Sequence, residues 1–319
     1  HSKWSISPQS SICTFGSCFA QHISKALLKN GFSWFNGEPA PPLLFHGVAE
    51  RFSYNVFSAR TGNIYTTSQL HQWLRWALTD EPIPDEAWQN DRGHFIDPFR
   101  PKIEPDGFRD MGELDQSRQQ TLAALRRCVE QSDLFIFTLG LTESWFHHSG
   151  YEYALCPGTA AGTFDPKLHI FRNQTTTEVK DQLEQAIKLL HKHNPKLNVL
   201  LTVSPVPLVA TSSEHHVLPA TIYSKSVLRA VAGECAQGSE HVDYFPSFEL
   251  ISSHPFAGNY YQDNLRNVTP QGVSHVMKHF FQGIGHSETP VEKASTATTE
   301  ISDDVVCEEE ILDAFRKKS

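Results

Sequence analysis

The sequence is poor in features that would narrow its role at once. No apolar run in its 319 residues reaches the roughly 20 residues of a membrane-spanning helix. Basic residues are in the minority: 27 Lys and Arg stand against 36 Asp and Glu, a formal charge of −9 with a pI near 6.0. That balance excludes the basic face of a nucleic-acid-binding protein. There is no glycine-rich phosphate loop of the P-loop or dinucleotide type, and no HExxH or comparable metal-ligand spacing, so no metal is expected and no organic cofactor is required. The cysteines, Cys13, Cys18, Cys128, Cys156, Cys235 and Cys307, contain no CxxC pair and no regular framework. In a chain of this length that pattern indicates free thiols in a reducing, cytoplasmic compartment. The first residues (HSKWSISPQSS) have no apolar h-region of a secretory signal.

What is present is globular. Hydrophobic residues make up 39% and charged residues 20%, enough apolar material for one large α/β domain. Ser11 to Phe15 reads as a short buried strand. It runs through Gly16-Ser17 into a helical pattern from Ala20 to Lys29, closed by Gly31. Residues 36–110 are rich in loops and prolines and contain one helix near Ser68 to Leu78; they read as an insertion capping the site. A long helix, Met111 to Gln131, leads to the continuous apolar run Leu134 to Thr138, expected of a central parallel strand covered on both faces. A helix from Thr177 to His193, a strand from Asn198 to Val203, a helix from Thr221 to Cys235 and a strand from Val242 to Phe245 follow. The last helix starts at Thr269-Pro270, with Thr269 as N-cap and Pro270 in the first helical position. Alternating strands and helices predict a three-layer α/β/α domain over residues 1–285 with a mostly parallel sheet. Residues 286–319 carry nine Asp and Glu against four Lys and Arg and read as an acidic disordered tail, in which Glu308 to Lys317 has the pattern of a short helix.

Ligands of such sheets bind outside the carboxyl ends of the strands. The loops expected there are Gly16 to Ala20, Gly140 to Trp145, Ser204 to Tyr223 and Ser247 to Val268. The first is the most reactive in prospect. A strand-to-helix turn sets one side chain at the positive end of a helix dipole, among free backbone N–H groups, and a thiol there is biased toward thiolate. Cys18 is placed to be such a nucleophile. Ser17 is the competitor, but a serine needs an adjacent base. Lys225 reads as a solvated helix residue, with binding of a phosphate or carboxylate at a helix start as the alternative. Asp97 and Arg100, between prolines, either clamp a substrate or pair with each other. Trp73 and Trp76 stand at helical spacing and read as packing.

The run Thr14-Phe15-Gly16-Ser17-Cys18-Phe19-Ala20 resembles the signature of the GSCFA family. So do Gly62-Asn63-Ile64-Tyr65-Thr66, Asp97-Pro98-Phe99-Arg100-Pro101, Thr138-Leu139-Gly140-Leu141-Thr142-Glu143, Ser204-Pro205-Val206-Pro207-Leu208 and Ser224-Lys225-Ser226-Val227-Leu228-Arg229. The resemblance spans about residues 11–282 and implies a flavodoxin-like fold of the SGNH-hydrolase type. That superfamily opens on a Gly-Asp-Ser turn. Aligning its glycine with Gly16 puts Cys18 on the nucleophile and Ser17 on the aspartate. Its Gly-x-Asn-Asp block resembles Gly140-Leu141-Thr142-Glu143, with Thr142, or Asn63 from elsewhere, in place of the oxyanion-binding asparagine and Glu143 in place of the aspartate. Its last block, Asp-x-x-His, falls on Asp263 to Pro270, where Asn267 occupies the place of the histidine. His216 and then His254 are the substitute bases, with His275 further along the final helix.

The resemblance thus implies acyl transfer or ester hydrolysis through an acyl-enzyme on the turn. A small-molecule, glycan or acyl substrate is expected, with a thioester of coenzyme A or of a carrier protein as a possible donor. The missing histidine allows the alternative of a degenerate SGNH-like domain that binds such a ligand without turnover. The acidic tail allows a third, an interaction module.

Overall fold

A computed structural model of the chain describes residues 2–256 and 258–285. The acidic segment 286–319, with Cys307 and the stretch Glu308 to Lys317, lies outside the described residues. The elements are, in order, β1 (Ile12–Gly16), α1 (Ala20–Lys29), α2 (His46–Arg51), α3 (Thr67–Leu78), β2 (Trp88–Gln89), β3 (Phe95–Ile96), α4 (Met111–Gln131), β4 (Leu134–Leu139), β5 (Glu143–His147), β6 (His169–Asn173), α5 (Thr176–His193), β7 (Asn198–Val203), α6 (Val217–Gly238), β8 (Val242–Phe245), α7 (Ser247–Ser252), a 3-10 turn (His254–Phe256) and α8 (Pro270–Gly283).

The expected parallel sheet is there, four strands in the order β1-β4-β7-β8. Beyond β1 a fifth segment contributes a single parallel bridge, Ile12 with Trp34. Counting that segment, the order in chain sequence is 2-1-3-4-5, the flavodoxin-like doubly wound topology. The outer edge of β1 is closed by loop rather than by a strand. The Ile12 N–H donates to the Ser33 carbonyl, the Thr14 N–H to Ser58 Oγ, and Gly16 O accepts from the Ile64 N–H. These bonds occupy much of that edge and blunt it against pairing with another chain.

Strand alternation sorts the core into two faces. Ile12, Leu134, Ile136 and Leu200 pack with Phe19 at the start of α1, with Ile23 and Leu27 of that helix, and with Val276, Phe280 and Phe281 of α8. Cys13, Phe15, Phe135, Phe137, Val199 and Leu201 face α3 to α6 through Trp73, Leu125, Leu183 and Leu228. Trp73 and Trp76 are core packing, as their spacing suggests. The final helix starts as expected: Thr269 Oγ1 accepts from the Gly272 N–H, with Pro270 in the first turn. The structure adds short elements that the sequence reading lacked, α2, the β2–β3 pair and α7, and two larger features differ from expectation. A hairpin, β5 with β6, rises from the β4 exit in antiparallel register, where polar interruptions hide its alternation. Helix α6 begins at Val217, four residues before the apolar pattern does. Among the described residues no helix is long and apolar enough to cross a membrane, and no group of His, Cys, Asp or Glu could hold a metal ion.

The region 36–110 is fastened by buried charge. Asp97 pairs with Arg100 at 2.8 Å and with Arg118 at 3.1 Å, and the Asp97 and Arg100 side chains are fully buried. Arg100 also donates to Thr121 Oγ1, whose hydroxyl reaches Glu38, and Glu38 faces Arg60. Burial would raise the Asp97 pKa, but Arg100 and Arg118 outweigh it and hold the group below its ordinary value. Such a carboxylate contributes stability above its unfolded pKa, and that contribution is lost as pH falls through the depressed native value. Asp97→Asn leaves the buried Arg100 guanidinium without its carboxylate and Arg118 with only the exposed Asp115, 3.7 Å away, and should cost roughly 3–5 kcal/mol at neutral pH. Its deficit against the parent should shrink as the parent is acidified below its native-state pKa. Urea unfolding at several pH values checks both; equal stability at neutral pH would remove the pair from the forces holding this region.

Candidate active site

The site begins with the close approach of two strands. Gly16 has φ +131°, a conformation that side chains disfavour, and a methyl group on it would lie 2.6 Å from the Thr138 nitrogen. The Ser17 N–H then donates to Thr138 O at 3.0 Å, so the chain leaves β1 pinned to β4. Helix α1 starts at once: Ala20 N–H bonds Ser17 O and Gln21 N–H bonds Cys18 O. Cys18, 5% exposed, therefore sits in the turn just before the helix, within the positive end of its dipole. The next amide, Phe19 N–H, has no acceptor among the described residues. Ser17 is 2% exposed, and its hydroxyl is buried without a hydrogen-bond partner.

Two other sequence motifs meet this turn. Ile64 N–H bonds Gly16 O at 2.8 Å, and Gln21 Nε2 donates to Asn63 Oδ1 at 3.3 Å. Asn63 is thus beside the turn, a juxtaposition that sequence spacing could not reveal. Tyr65 O accepts from both the Gly140 and Leu141 N–H groups, at 2.9 and 3.0 Å. A methyl group on Gly140 would meet Ser17 Cβ and the Tyr65 ring, each at 3.0 Å. Gly16, Ser17, Cys18, Asn63 and Gly140 therefore form one cluster at the β1/β4 boundary, the crevice where this topology binds ligands.

Lys225 belongs to the cluster too, which corrects its reading as a solvated residue. It is 1% exposed, and its ammonium donates to Gly140 O at 2.7 Å. The reason is phase. Thr221, Ser224, Leu228, Val231 and Cys235 are the inward stripe of α6, and Lys225 falls on it. That spacing was the available signal; the charge masked it.

The other sequence candidates lie elsewhere. The Thr142 hydroxyl donates to Asn173 Oδ1 at 2.7 Å, and its N–H donates to Ser224 Oγ. It ties the β4 exit to the hairpin and α6 and has no proton left for an oxyanion. Glu143 opens the hairpin and accepts from Thr211 Oγ1 at 2.7 Å. Burial raises its pKa, against the opposing bond from Thr211. Asp97 and Arg100 are occupied with each other. His216 is exposed, and its Nδ1 caps α6 by accepting from the Leu218 N–H. His254 opens the 3-10 turn after α7, on the connection from the β8 exit to α8. His275 stacks on Tyr260, ring centroids 4.7 Å apart. Asp263 is exposed. Asn267 closes a local turn, its N–H bonded to Asn264 Oδ1 and its carbonyl to the Gln262 N–H.

Among the other described thiols, burial pushes Cys13 up to about 12 and Cys156 and Cys235 to about 11, and raises Cys128 as well. Cys18 is set apart from them by its place in the turn.

Residues 11–280 match the sequence profile of the GSCFA family. The chain belongs to that family. No curated protein matches it. Two solved structures resemble it weakly. One is from Streptococcus pneumonia and carries the provisional description platelet activating factor, with 16% identity, a TM-score of 0.30, and 56% of this chain and 70% of the other covered. The second is a serine-to-alanine variant of an acetyl esterase with an acetate ion, with 12% identity, a TM-score of 0.27, and coverage of 49% and 60%.

In this GSCFA protein the turn tolerates no side chain at its first position. Gly16→Ala combines a disfavoured φ with overlap on the Thr138 backbone and should destabilise by roughly 2–5 kcal/mol. Thermal and urea unfolding measure this; a change under about 1 kcal/mol would mean that β1 and β4 can move apart.

Proposed function

We propose that this GSCFA protein is an acyl-transfer enzyme, an esterase or acyltransferase, with Cys18 as nucleophile. The observation that carries the reading is the position of Cys18 in the strand-to-helix turn at the β1/β4 crevice, followed by a Phe19 amide with no acceptor among the described residues. The Cys18 thiolate adds to the substrate carbonyl carbon. The carbonyl π pair moves onto oxygen, and the oxyanion is held by backbone N–H of the turn with the Asn63 amide as the side-chain donor. Collapse of the adduct expels the alcohol or thiol, which takes up a proton, and leaves a Cys18 thioester. Water or an acceptor hydroxyl then attacks that thioester, loses its proton and restores the thiolate.

The base is assigned to His254, because His216 is spent on capping α6 and is exposed. Lys225, through Gly140, adds positive potential behind the turn. Ser17 is a supporting hydroxyl. The donor is an ester or a thioester of coenzyme A or a carrier protein, and the cytoplasmic location expected from free thiols suits such donors. A second reading, ligand binding without turnover, is favoured by one observation: Asn267, where the superfamily has its histidine, is committed to a local turn.

Intact mass after exposure to activated esters separates the two readings. The parent should gain one acyl group that Cys18→Ala abolishes, while Ser17→Ala slows acylation by less than about tenfold. His254→Ala should slow turnover by about 100-fold or more, and His216→Ala should cost only a helix cap, about 1 kcal/mol of stability. No adduct on the parent under any donor would favour the binding reading; an adduct that survives Cys18→Ala and is lost in Ser17→Ala would move the nucleophile to Ser17.

A further inference from the structure

A second feature of the carboxyl edge lies one wall away from the turn. It is a cleft of about 100 Å³ between the β4 exit, the β7 exit loop and the hairpin. Its lining is mostly apolar, with Leu141, Trp145, Leu155, Phe171 and Leu208 among the contributors. The wall it shares with the turn is built from Tyr65 and Leu141. Tyr65 lines the cleft, its carbonyl holds the Gly140 and Leu141 amides, and its ring meets the same face of Gly140 as Ser17 Cβ. Leu141, half-buried, lines the cleft directly after Gly140. The other large hollow, beside Trp4 and His241, lies at the amino end of β7 and β8 and shares no residue with the turn.

We propose that this cleft is the acyl subsite of the enzyme and takes short, neutral acyl groups, acetyl to butyryl. The proposal rests on the reading of Cys18 as nucleophile. Size sets the upper bound. A dry apolar cavity of about 150 Å³ holds benzene, so the enclosed part of this cleft, about 100 Å³, takes about four heavy atoms, and a longer chain would leave its end in water. Charge sets the second limit. Glu143 is the only carboxyl among the described residues of the lining; it accepts from Thr211 and the Ser212 backbone and has His215 as a nearby basic group. No Lys or Arg lines the cleft among the described residues, so an acyl group ending in a carboxylate would bring a second carboxyl into a half-closed apolar space that already holds one. An acyl group held by its carbonyl at the turn would pass its first carbons over Leu141 into the cleft.

Two measurements test this on the full chain. In the first, the rate of Cys18 acylation by aryl esters is followed by mass. Butyryl should exceed octanoyl by about tenfold or more, and acetyl should exceed succinyl by a similar factor. Leu208→Phe, which narrows the cleft, should raise the acetyl-to-butyryl ratio by about tenfold. The second needs no turnover. Cys156 lines the cleft and is half-buried; in Cys18→Ala protein its labelling by a methanethiosulfonate should be slowed by butyramide and not by octanamide or succinate. Acylation of Cys18 at rates independent of chain length and charge overturns the subsite while leaving the nucleophile in place. Failure of butyramide to protect Cys156 overturns it as well. Protection of Cys156 without any acylation of Cys18 keeps the subsite and removes the enzymatic reading.

Discussion

Gly16 lies against the Thr138 backbone, and the rest of the site depends on that contact. Because no side chain separates β1 from β4 at this point, the Ser17 N–H can bond Thr138 O and the chain can turn straight into α1. The turn fixes Cys18 at the start of the helix. It also leaves Gly16 O to accept from Ile64, which draws Asn63 alongside. A second glycine, Gly140, repeats the device one strand over, where Ser17 and the Tyr65 ring pack on its bare α-carbon. The cluster is thus assembled by backbone proximity, and its polar groups are placed by close packing rather than by long flexible side chains.

Buried charge serves two purposes here. Around Asp97 it is structural. Two guanidinium groups and a carboxylate compensate one another, and Glu38 with Arg60 extends the network, fixing an irregular proline-rich segment that could not make a regular ladder. Lys225 is placed differently. A buried ammonium is costly unless its protons are accepted, and one acceptor is the carbonyl of the glycine that backs the reactive turn. On the proposed function its charge would act on a thiolate or an oxyanion formed at that turn, through a medium that screens poorly.

The departure at Asn267 gains meaning beside this arrangement. A serine nucleophile needs a base to take its proton in the transition state. A thiol at a helix N-terminus is biased toward thiolate before substrate arrives, so a distant or weak base is less damaging. On the proposed function, Asn267 in place of a histidine and Cys18 as the nucleophile are therefore compatible.

Most of the regular structure was readable from residues alone. The apolar runs of β1, β4, β7 and β8 and the stripes of α1, α4 and α5 lie close to their observed positions, and Thr269-Pro270 marks the start of α8 as capping chemistry requires. Local sequence decides these because each pattern has a single period and a single buried face. The Gly16 to Ala20 turn was also legible, since glycine followed by a helix start has few other uses. Tertiary structure alone decided the company that turn keeps. Asn63, Gly140 and Lys225 come from loops and a helix up to about 200 residues apart, and no local pattern encodes which ends of parallel strands become neighbours. It decided, too, that Asp97 and Arg100 hold each other and that His216 caps a helix, because a side chain's partners are those within reach, and reach is set by the fold.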